Sequence, residues 1–460
     1  MKKLYFVLST FLLLLHPELN AQIAKCKGKY LGNIITKSVQ SNYAANWNQL
    51  SMESASRWQT VERIRGQYDF AGSDIGYNWA KENGGLFTYN SLMWGATAAA
   101  WVPVISTELL QESIQLYFKA VADHYNTMGG LKLIQVLNEP VHTQLAANLK
   151  AALVASYKAE VANAADINNK YGWAIYCFQL ARKHFPNSTL IINDYYMELN
   201  INNCRATYIE MINAIKGAPN LTDGKKNLID GVGLEGHEME DLSGADFKAC
   251  LDEIWSKTGI PMHITEFDAK AYPNEAKQKY VYSTMIPIAW EHPHVAGISF
   301  LGYIQGQTWA SGNGIKGPEG TDTGIMYATG EDRPAMSWLR SYMAGKADLL
   351  CCPAPGPSAA CDSLDPSVTA VILASGNSQF TAGQNEVMGL DLYPNPFTNE
   401  GLHIKKSGEF HYCISDIYGA TVENGIVKEQ EVVAKNLSPG VYYIRIDDQQ
   451  SQSAYKIIRQ

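Results

Sequence analysis

From about Tyr30 to Ala344, short apolar, strand-like runs alternate with longer segments in which apolar residues recur every three or four positions. That alternation constrains the chain more than any other feature, because it is the pattern of repeated β-α units around a parallel sheet. Candidate strands fall near 31–35, 46–52, 86–94, 131–138, 190–195, 229–237, 262–268 and 297–303. Between them, segments such as 113–125 and 174–184 carry the period of helices packed on a sheet. A stretch this long predicts an α/β fold, a (β/α)8 TIM barrel, whose active face is built from the C-terminal strand ends.

The 460 residues exceed what one hydrophobic core usually serves, and the two ends of the chain differ from its middle. Lys2 and Lys3, an apolar run from Leu4 to Leu15 and a small-residue site ending at Ala21 read as a signal peptide over 1–21. The barrel then covers 22–345. A Pro/Ser/Gly-rich stretch over 346–386 reads as a linker, and alternating strands with Pro, Asn and Gly turns over 387–460 as a small β-sandwich. No later stretch approaches the ~18 apolar residues that a membrane span needs, so no membrane anchor is expected.

The balance of 37 basic and 45 acidic side chains, net charge −8, argues against a nucleic-acid or anionic-membrane partner. With 10 Trp, 26 Tyr and 13 Phe, the chain has rings to spare for stacking on a neutral substrate. Its 8 cysteines include no Cys-x-x-Cys pair, which favours structural bridges and buried thiols over a metal site. Cys26 lies near one end of the barrel segment, and Cys351, Cys352 and Cys361 near the other. A tie between the ends is therefore a candidate, with the pairing open.

Two apolar runs end in a carboxylate: Leu137-Asn138-Glu139-Pro140 and Ile264-Thr265-Glu266-Phe267-Asp268. On strands four and seven of a barrel both acids reach the active face. Cleavage of a glycosidic bond needs such a pair, one carboxyl to protonate the departing oxygen and another to attack the anomeric carbon or activate water. A lone strand-end Glu reads as a cap or surface acid; two in this arrangement read as catalytic. Gly231-x-Gly233-x-x-Gly236 matches a dinucleotide fingerprint formally, but no amphipathic helix follows. His237-Glu238 lacks the second His of a zinc protease motif, and His124, His184, His292 and His294 read as surface or capping residues. No cofactor and no metal is implied.

These runs sit among Glu53 and Trp58 in Met-Glu-Ser-Ala-Ser-Arg-Trp, Trp94 in Leu-Met-Trp, Ile192-Asn193-Asp194-Tyr195, Gly231 to His237, Trp309 and Arg333-Pro334-Ala335. With them, the segment from about Tyr30 to Met343 resembles family 10 of the glycoside hydrolases, the family of endo-β-1,4-xylanases. The resemblance implies a retaining endo-acting hydrolase of xylan, a polysaccharide partner, Glu139 as acid/base and Glu266 as nucleophile. It gives Asn138 a bond to the sugar 2-hydroxyl, His237 the orientation of the nucleophile region, and Trp94 and Trp309 the walls of the sugar sites. Glu53, Arg57, Asn90, Tyr195, Glu235 and Tyr303 complete the substrate-binding set. A different or substituted β-glycan, or a non-catalytic glycan-binding barrel, remain the alternatives.

The chain departs from the family at Ser54, Arg57 and Asn90, at Gly95 in place of a usual His, at Glu235 in place of a usual Gln, and at Leu301 in place of a usual Trp. A third carboxylate beside Glu139 and Glu266 raises at least one pKa, so Glu235 is expected to be protonated or paired with Arg or His. Arg57 is a candidate contact for an acidic branch such as a uronic acid, with a solvated or structural Arg as the alternative reading. Tyr393-Pro394-Asn395-Pro396, Leu437-Ser438-Pro439-Gly440-Val441-Tyr442 and Lys456-Ile457-Ile458-Arg459 resemble the C-terminal sorting domain of the type IX secretion system. That implies a secretion-machinery partner and a secreted or cell-surface location. The competing reading of the tail is a carbohydrate-binding module.

Overall fold

The computed structural model describes residues 22–36, 38–160, 168–271, 274–308, 322–348, 391–398, 400–405, 409–416, 421–428, 432–438, 440–447 and 452–459. Among these, eight strands close a barrel in sequence order: β1 Tyr30–Ile35, β2 Gln49–Met52, β3 Leu86–Trp94, β4 Leu133–Asn138, β5 Thr189–Asp194, β6 Gly231–Leu234, β7 Met262–Phe267 and β8 Val295–Phe300. Every neighbouring pair is parallel, including β8 with β1. The expected strands are all present. The second is shorter than the apolar run suggests, because its first residues close a helical turn, α1 Tyr43–Asn46.

The other helices are α2 Trp58–Val61, α3 Ala71–Asn83, α4 Thr107–Asn126, α5 Ala147–Glu160, α6 Gly172–His184, α7 Cys204–Gly217, α8 Gly244–Thr258, α9 Glu275–Glu291 and α10 Pro334–Ala344. In α4 the Ser106 hydroxyl accepts from the Leu109 amide as N-cap, and Leu110, Ile114, Tyr117, Phe118, Val121 and Tyr125 form the buried stripe. α6 is buried on every side from Gly172 to Arg182, since α4, α5 and α7 pack around it.

Inside the barrel the layers run from apolar to polar. Tyr30, Leu86, Leu133 and Ile191 plug the N-terminal end. The Tyr30 hydroxyl bonds His263 Nδ1 at 2.9 Å, and burial pushes His263 down to about 4, leaving a neutral ring. Above lie Gln49, Ser51, Thr88, Gln135 and Ser299, all buried. Glycines make this filling fit: a Cβ on Gly297 would stand 2.3 Å from the Tyr30 ring, and one on Gly231 would stand 2.5 Å from Ile191 and 2.7 Å from His263. The glycine run of β6 thus serves packing inside the barrel.

Lys29 joins the first strand to the last. Its Nζ donates to the Trp290 and His292 carbonyls at 2.7 Å each, capping the end of α9 just before β8. His292 is a capping residue, the C-cap of α9, though not a surface one, and His294 corrects the reading of it as surface or capping. Both are buried, His292 against Asp252 and His294 stacked 3.5 Å from Trp255, because the short turn into β8 folds beneath the barrel. Cys26 is disulfide-bonded, while Cys351, Cys352 and Cys361 lie outside the described residues. Cys177, Cys204 and Cys250 are buried thiols outside any disulfide, and Cys413 is buried in the tail.

The tail forms two antiparallel sheets, a three-stranded one from β9 Asp391–Tyr393, β10 Leu402–Lys405 and β13 Val432–Val433, and a four-stranded one from β11 Glu409–Asp416, β12 Thr421–Lys428, β14 Gly440–Asp447 and β15 Gln452–Arg459. They enclose their own core, including Phe397, Leu402, Ile414, Val427, Ile444 and Ile457. Among the described residues, no helix is long and apolar enough to cross a membrane.

Candidate active site

Strict alternation would not aim these residues; irregularities in the strands do. In β4, Ile134, Val136 and Leu137 all join the outer core, and the pairing with β5 shifts between Gln135 and Leu137. That bulge turns Asn138 into the barrel mouth, where its Oδ1 accepts from Asn193 Nδ2 at 2.8 Å. In β7 the pairing with β8 shifts between Ile264 and Phe267, both of which face the outer core. Thr265 and Glu266 between them both reach Asn193, at 2.5 and 3.2 Å. Glu139 leaves β4 at φ 52°, a left-handed conformation uncommon for a side chain larger than glycine's. Its amide donates to the Asn193 carbonyl at 2.7 Å, and its carbonyl accepts from the Thr143 amide at 2.7 Å.

Asn193 is the hub. Its Oδ1 takes the Thr265 hydroxyl, and its two Nδ2 hydrogens face three oxygens: Asn138 Oδ1, Glu235 Oε1 at 3.0 Å and Glu266 Oε1. Gly233 makes room, since a Cβ there would lie 2.4 Å from Asn193 Oδ1. His237 bridges the other side, with Nδ1 3.0 Å from Asp268 and Nε2 3.3 Å from Glu235 and 3.9 Å from Glu266. Burial opposes its charge, but Asp268 and Glu235 outweigh that and hold the imidazole well above its ordinary value. Burial first, then Glu266, raises Glu235 well above the carboxylate range. The expected pairing of Glu235 with a histidine is the geometry found. Burial also raises Glu266, against the pull of His237 and Arg57.

Glu139 sits in a different setting. Its Oε2 accepts from Thr143 Oγ1 at 2.5 Å and from Trp94 Nε1 at 3.0 Å. Burial raises its pKa, the two donors hold it back and Asp194 adds to the rise. The Arg57 guanidinium lies 4.5 Å from the Trp94 ring centre. Burial pulls Arg57 below its ordinary value, while Glu266, Glu53, Glu139 and Glu235 pull it back up. Its charge is thus met by acids of the cleft itself. Glu53, just after β2, is buried and among the acids acting on Arg57, and Asn90 is buried within β3.

Of the remaining residues singled out from sequence, Tyr195 follows β5 and stacks on His142 at 4.2 Å, with Glu139 among the charges that raise its hydroxyl. Tyr303 is buried away from solvent, its hydroxyl shared between Asn42 and Asn46 at 2.8 Å each, so it acts in the packing of α1 against β8. Trp309 lies outside the described residues. Trp58 stacks on Tyr117 at 5.0 Å in the core and donates to Glu62. Sequence reading missed Asn193 as a donor to the acids and Thr265 as the donor that orients it, Thr143 and Asp268 as partners, and Asp194, which accepts from the Val141 amide and pairs with His142, both at 2.7 Å. It also missed Glu198, which burial raises to about 7 and which holds the Gly236 amide at 2.9 Å. The one signal available was the placement of Asn193 and Asp194 at the end of an apolar run.

Glu235, His237 and Glu266 present ligand-type atoms within 4.8 Å of one another, but a His237 held in its protonated form has no lone pair at Nε2 to offer a cation, so the set fits a shared proton.

Comparison with known proteins agrees with this geometry. The family model described as "Glycosyl hydrolase family 10" matches residues 20–342, and the "Secretion system C-terminal sorting domain" matches 391–460. Endo-1,4-beta-xylanase B of Cellvibrio japonicus is 32% identical over 312 residues, 68% of this chain and 45% of that protein. Endo-1,4-beta-xylanase 3 of Hypocrea jecorina is 24% identical over 299 residues, 63% of this chain and 77% of that protein. The chain spans less than half the length of two of the curated relatives it matches, 45% of the Cellvibrio protein and 29% of endo-1,4-beta-xylanase B of Neocallimastix patriciarum. Among solved structures, xylanase 10B of Thermotoga maritima superposes with a TM-score of 0.57 at 21% identity, over 70% of this chain and 97% of that one. A variant of xylanase 10C of Cellvibrio japonicus in complex with xylopentaose gives 0.56 at 18%, over 71% and 70%. The structures share the fold, and the family match spans the whole barrel with both strand-end acids: the chain belongs to glycosyl hydrolase family 10, followed by a secretion sorting domain.

Proposed function

We propose that this chain is a retaining endo-acting glycoside hydrolase of β-1,4-linked xylan, with Glu139 as acid/base and Glu266 as nucleophile. The observation that carries it is the unequal setting of two acids at one barrel mouth. Burial raises both; against it, Glu266 is drawn toward its ionised form by the cations His237 and Arg57, with Glu139 and Asp268 opposing, and Glu139 chiefly by the neutral donors Thr143 and Trp94, with Asp194 opposing and His237 a lesser aid. In the first step the Glu139 proton passes to the glycosidic oxygen, the bond from that oxygen to the anomeric carbon breaks so that the leaving sugar departs as an alcohol, and a Glu266 oxygen bonds that carbon. In the second, Glu139 takes a proton from water, whose oxygen bonds the anomeric carbon and releases Glu266. Asn138, oriented by Asn193, is placed for the sugar 2-hydroxyl, Trp94 for a sugar face, and Glu53 and Asn90 for glycone hydroxyls. Xylan as substrate is supported by the relatives named endo-1,4-beta-xylanase and by the fold neighbour bound to xylopentaose. The sorting domain supports export by the type IX route to a secreted or cell-surface location, after removal of 1–21.

Reducing-sugar release by the purified chain on plain xylan, uronic-acid-substituted xylan and other β-glycans tests this, with Glu266→Gln as control. Xylan should be cut, and the control should lose more than about 10³-fold in kcat. Binding without cleavage on every glycan would leave a non-catalytic barrel, and a preference for the uronic-acid form would give Arg57 a substrate contact.

A further inference from the structure

We propose that Thr143, together with Trp94, is a positioning residue that occupies Oε2 of Glu139 and so reserves Oε1 as the oxygen that delivers the proton. The inference rests on the reading of Glu139 as acid/base. Both strong donors converge on one oxygen: Thr143 Oγ1 at 2.5 Å and Trp94 Nε1 at 3.0 Å from Oε2. Oε1 has Asn138 Nδ2 at 3.5 Å, the outer limit of a hydrogen bond. A protonated carboxyl accepts well at its carbonyl oxygen and poorly at its hydroxyl. The proton therefore resides on Oε1.

The sequence builds this arrangement through a departure from the family. Where a His is usual, this chain has Gly95, and a Cβ there would lie 2.4 Å from the Gln144 carbonyl oxygen and 2.8 Å from that of Thr143. Gly95 thus lets the segment after Glu139 lie on the end of β3, whose last residue is Trp94. One backbone contact sets both donors. The Thr143 amide bond to the Glu139 carbonyl closes the turn from the other side.

In the first step the Oε1 proton moves to the glycosidic oxygen, the bond from that oxygen to the anomeric carbon breaks, and a Glu266 oxygen bonds that carbon. The leaving sugar departs as an alcohol and Glu139 is left as a carboxylate. Its charge then rests on two donors already in place. In the second step water returns a proton to Oε1 while its oxygen displaces Glu266. The charged and titratable groups facing Glu139 are Asp194 and Tyr195 at the end of β5, Glu235 and His237 after β6, Glu266 in β7 and Arg57 before α2. None of them changes when Thr143 does.

The test is the pH dependence of kcat/KM on xylan for the full chain and for Thr143→Val, Thr143→Ser and Gly95→Ala. Removing a donor to the carboxylate makes Glu139 hold its proton to higher pH, so the alkaline limb of Thr143→Val should rise by roughly one pH unit. Thr143→Ser should keep the wild-type limb. Gly95→Ala, whose methyl lifts the 143–144 segment, should move it as Thr143→Val does. If Thr143→Val does not fold, Gly95→Ala carries the same test. Coincident limbs in wild type and Thr143→Val, or an equal shift in Thr143→Ser, overturn the proposal while leaving Glu139 as acid/base intact. A wild-type chain that cuts no glycan overturns the reading of Glu139 itself, and the proposal with it.

Discussion

A buried carboxylate beside the proposed nucleophile must either keep its proton or meet a cation. Glu235 lies 3.3 Å from His237 Nε2 and shares the Asn193 amide with Glu266, so its protonation is linked to both. Burial and then Glu266 hold it well above the carboxylate range, so it keeps its proton while Glu266 titrates. Glu235→Gln keeps the shape and is neutral too, so the acid limb of kcat/KM should stay within about 0.3 pH unit of wild type, measured as initial rates across the acid range. A limb that moves down would mean that Glu235 carries charge while Glu266 titrates. The meeting of Glu139 and Glu266 at one barrel mouth was legible in the sequence because each ends an apolar run, and two such ends share one face of a barrel. Thr143 was not legible, since nothing in its neighbours separates a threonine bonded to an acid from one in an ordinary turn. Nor was the role of Asn193, because three of its four partners come from other strands.

Among the elements, the strand order and the helices α4 and α6 followed from periodicity, but the bulges did not. Val136 and Leu137 are both apolar and both face the outer core, so a reader applying alternation across them turns Asn138 outward. A register slip costs no apolar burial in strands that are apolar on both faces, which is why a parallel barrel hides it. Closure of the barrel was expected from the eight β-α units, but the side chain that stands at the closure, Lys29, was equally hidden. That side chain satisfies two carbonyls at the end of α9 just where β8 begins its return to β1. Lys29→Met keeps the stem and removes the donors, taking that partner from the Trp290 carbonyl and leaving the His292 carbonyl with the Val295 amide. The expected cost is about 1–3 kcal/mol, measurable as a lower urea midpoint with an unchanged m value. Wild-type stability in Lys29→Met would show that water replaces the ammonium at no cost.

For the whole molecule, the barrel core and the tail core share no residue in the described structure: one runs from Ala24 to Met343, the other from Phe397 to Ile457. Two hydrophobic clusters without a common member are two cooperative units, provided no large interface couples them. The composition between them, Pro-, Ser- and Gly-rich over 346–386, fits that separation. We therefore expect calorimetry of the full chain to resolve two unfolding transitions, and a chain ending at 348 to keep the barrel transition within about 2 °C and kcat/KM within about twofold. A single transition, or a barrel that melts far lower without its tail, would mean that the sorting domain is part of the catalytic fold. The first outcome fits an address that is read during export and can be removed afterwards. A carbohydrate-binding module would instead show itself as a loss of activity on insoluble xylan alone, with soluble substrate cut at the full rate. Rates on both forms of xylan, with and without 391–460, therefore decide between the two roles of the tail.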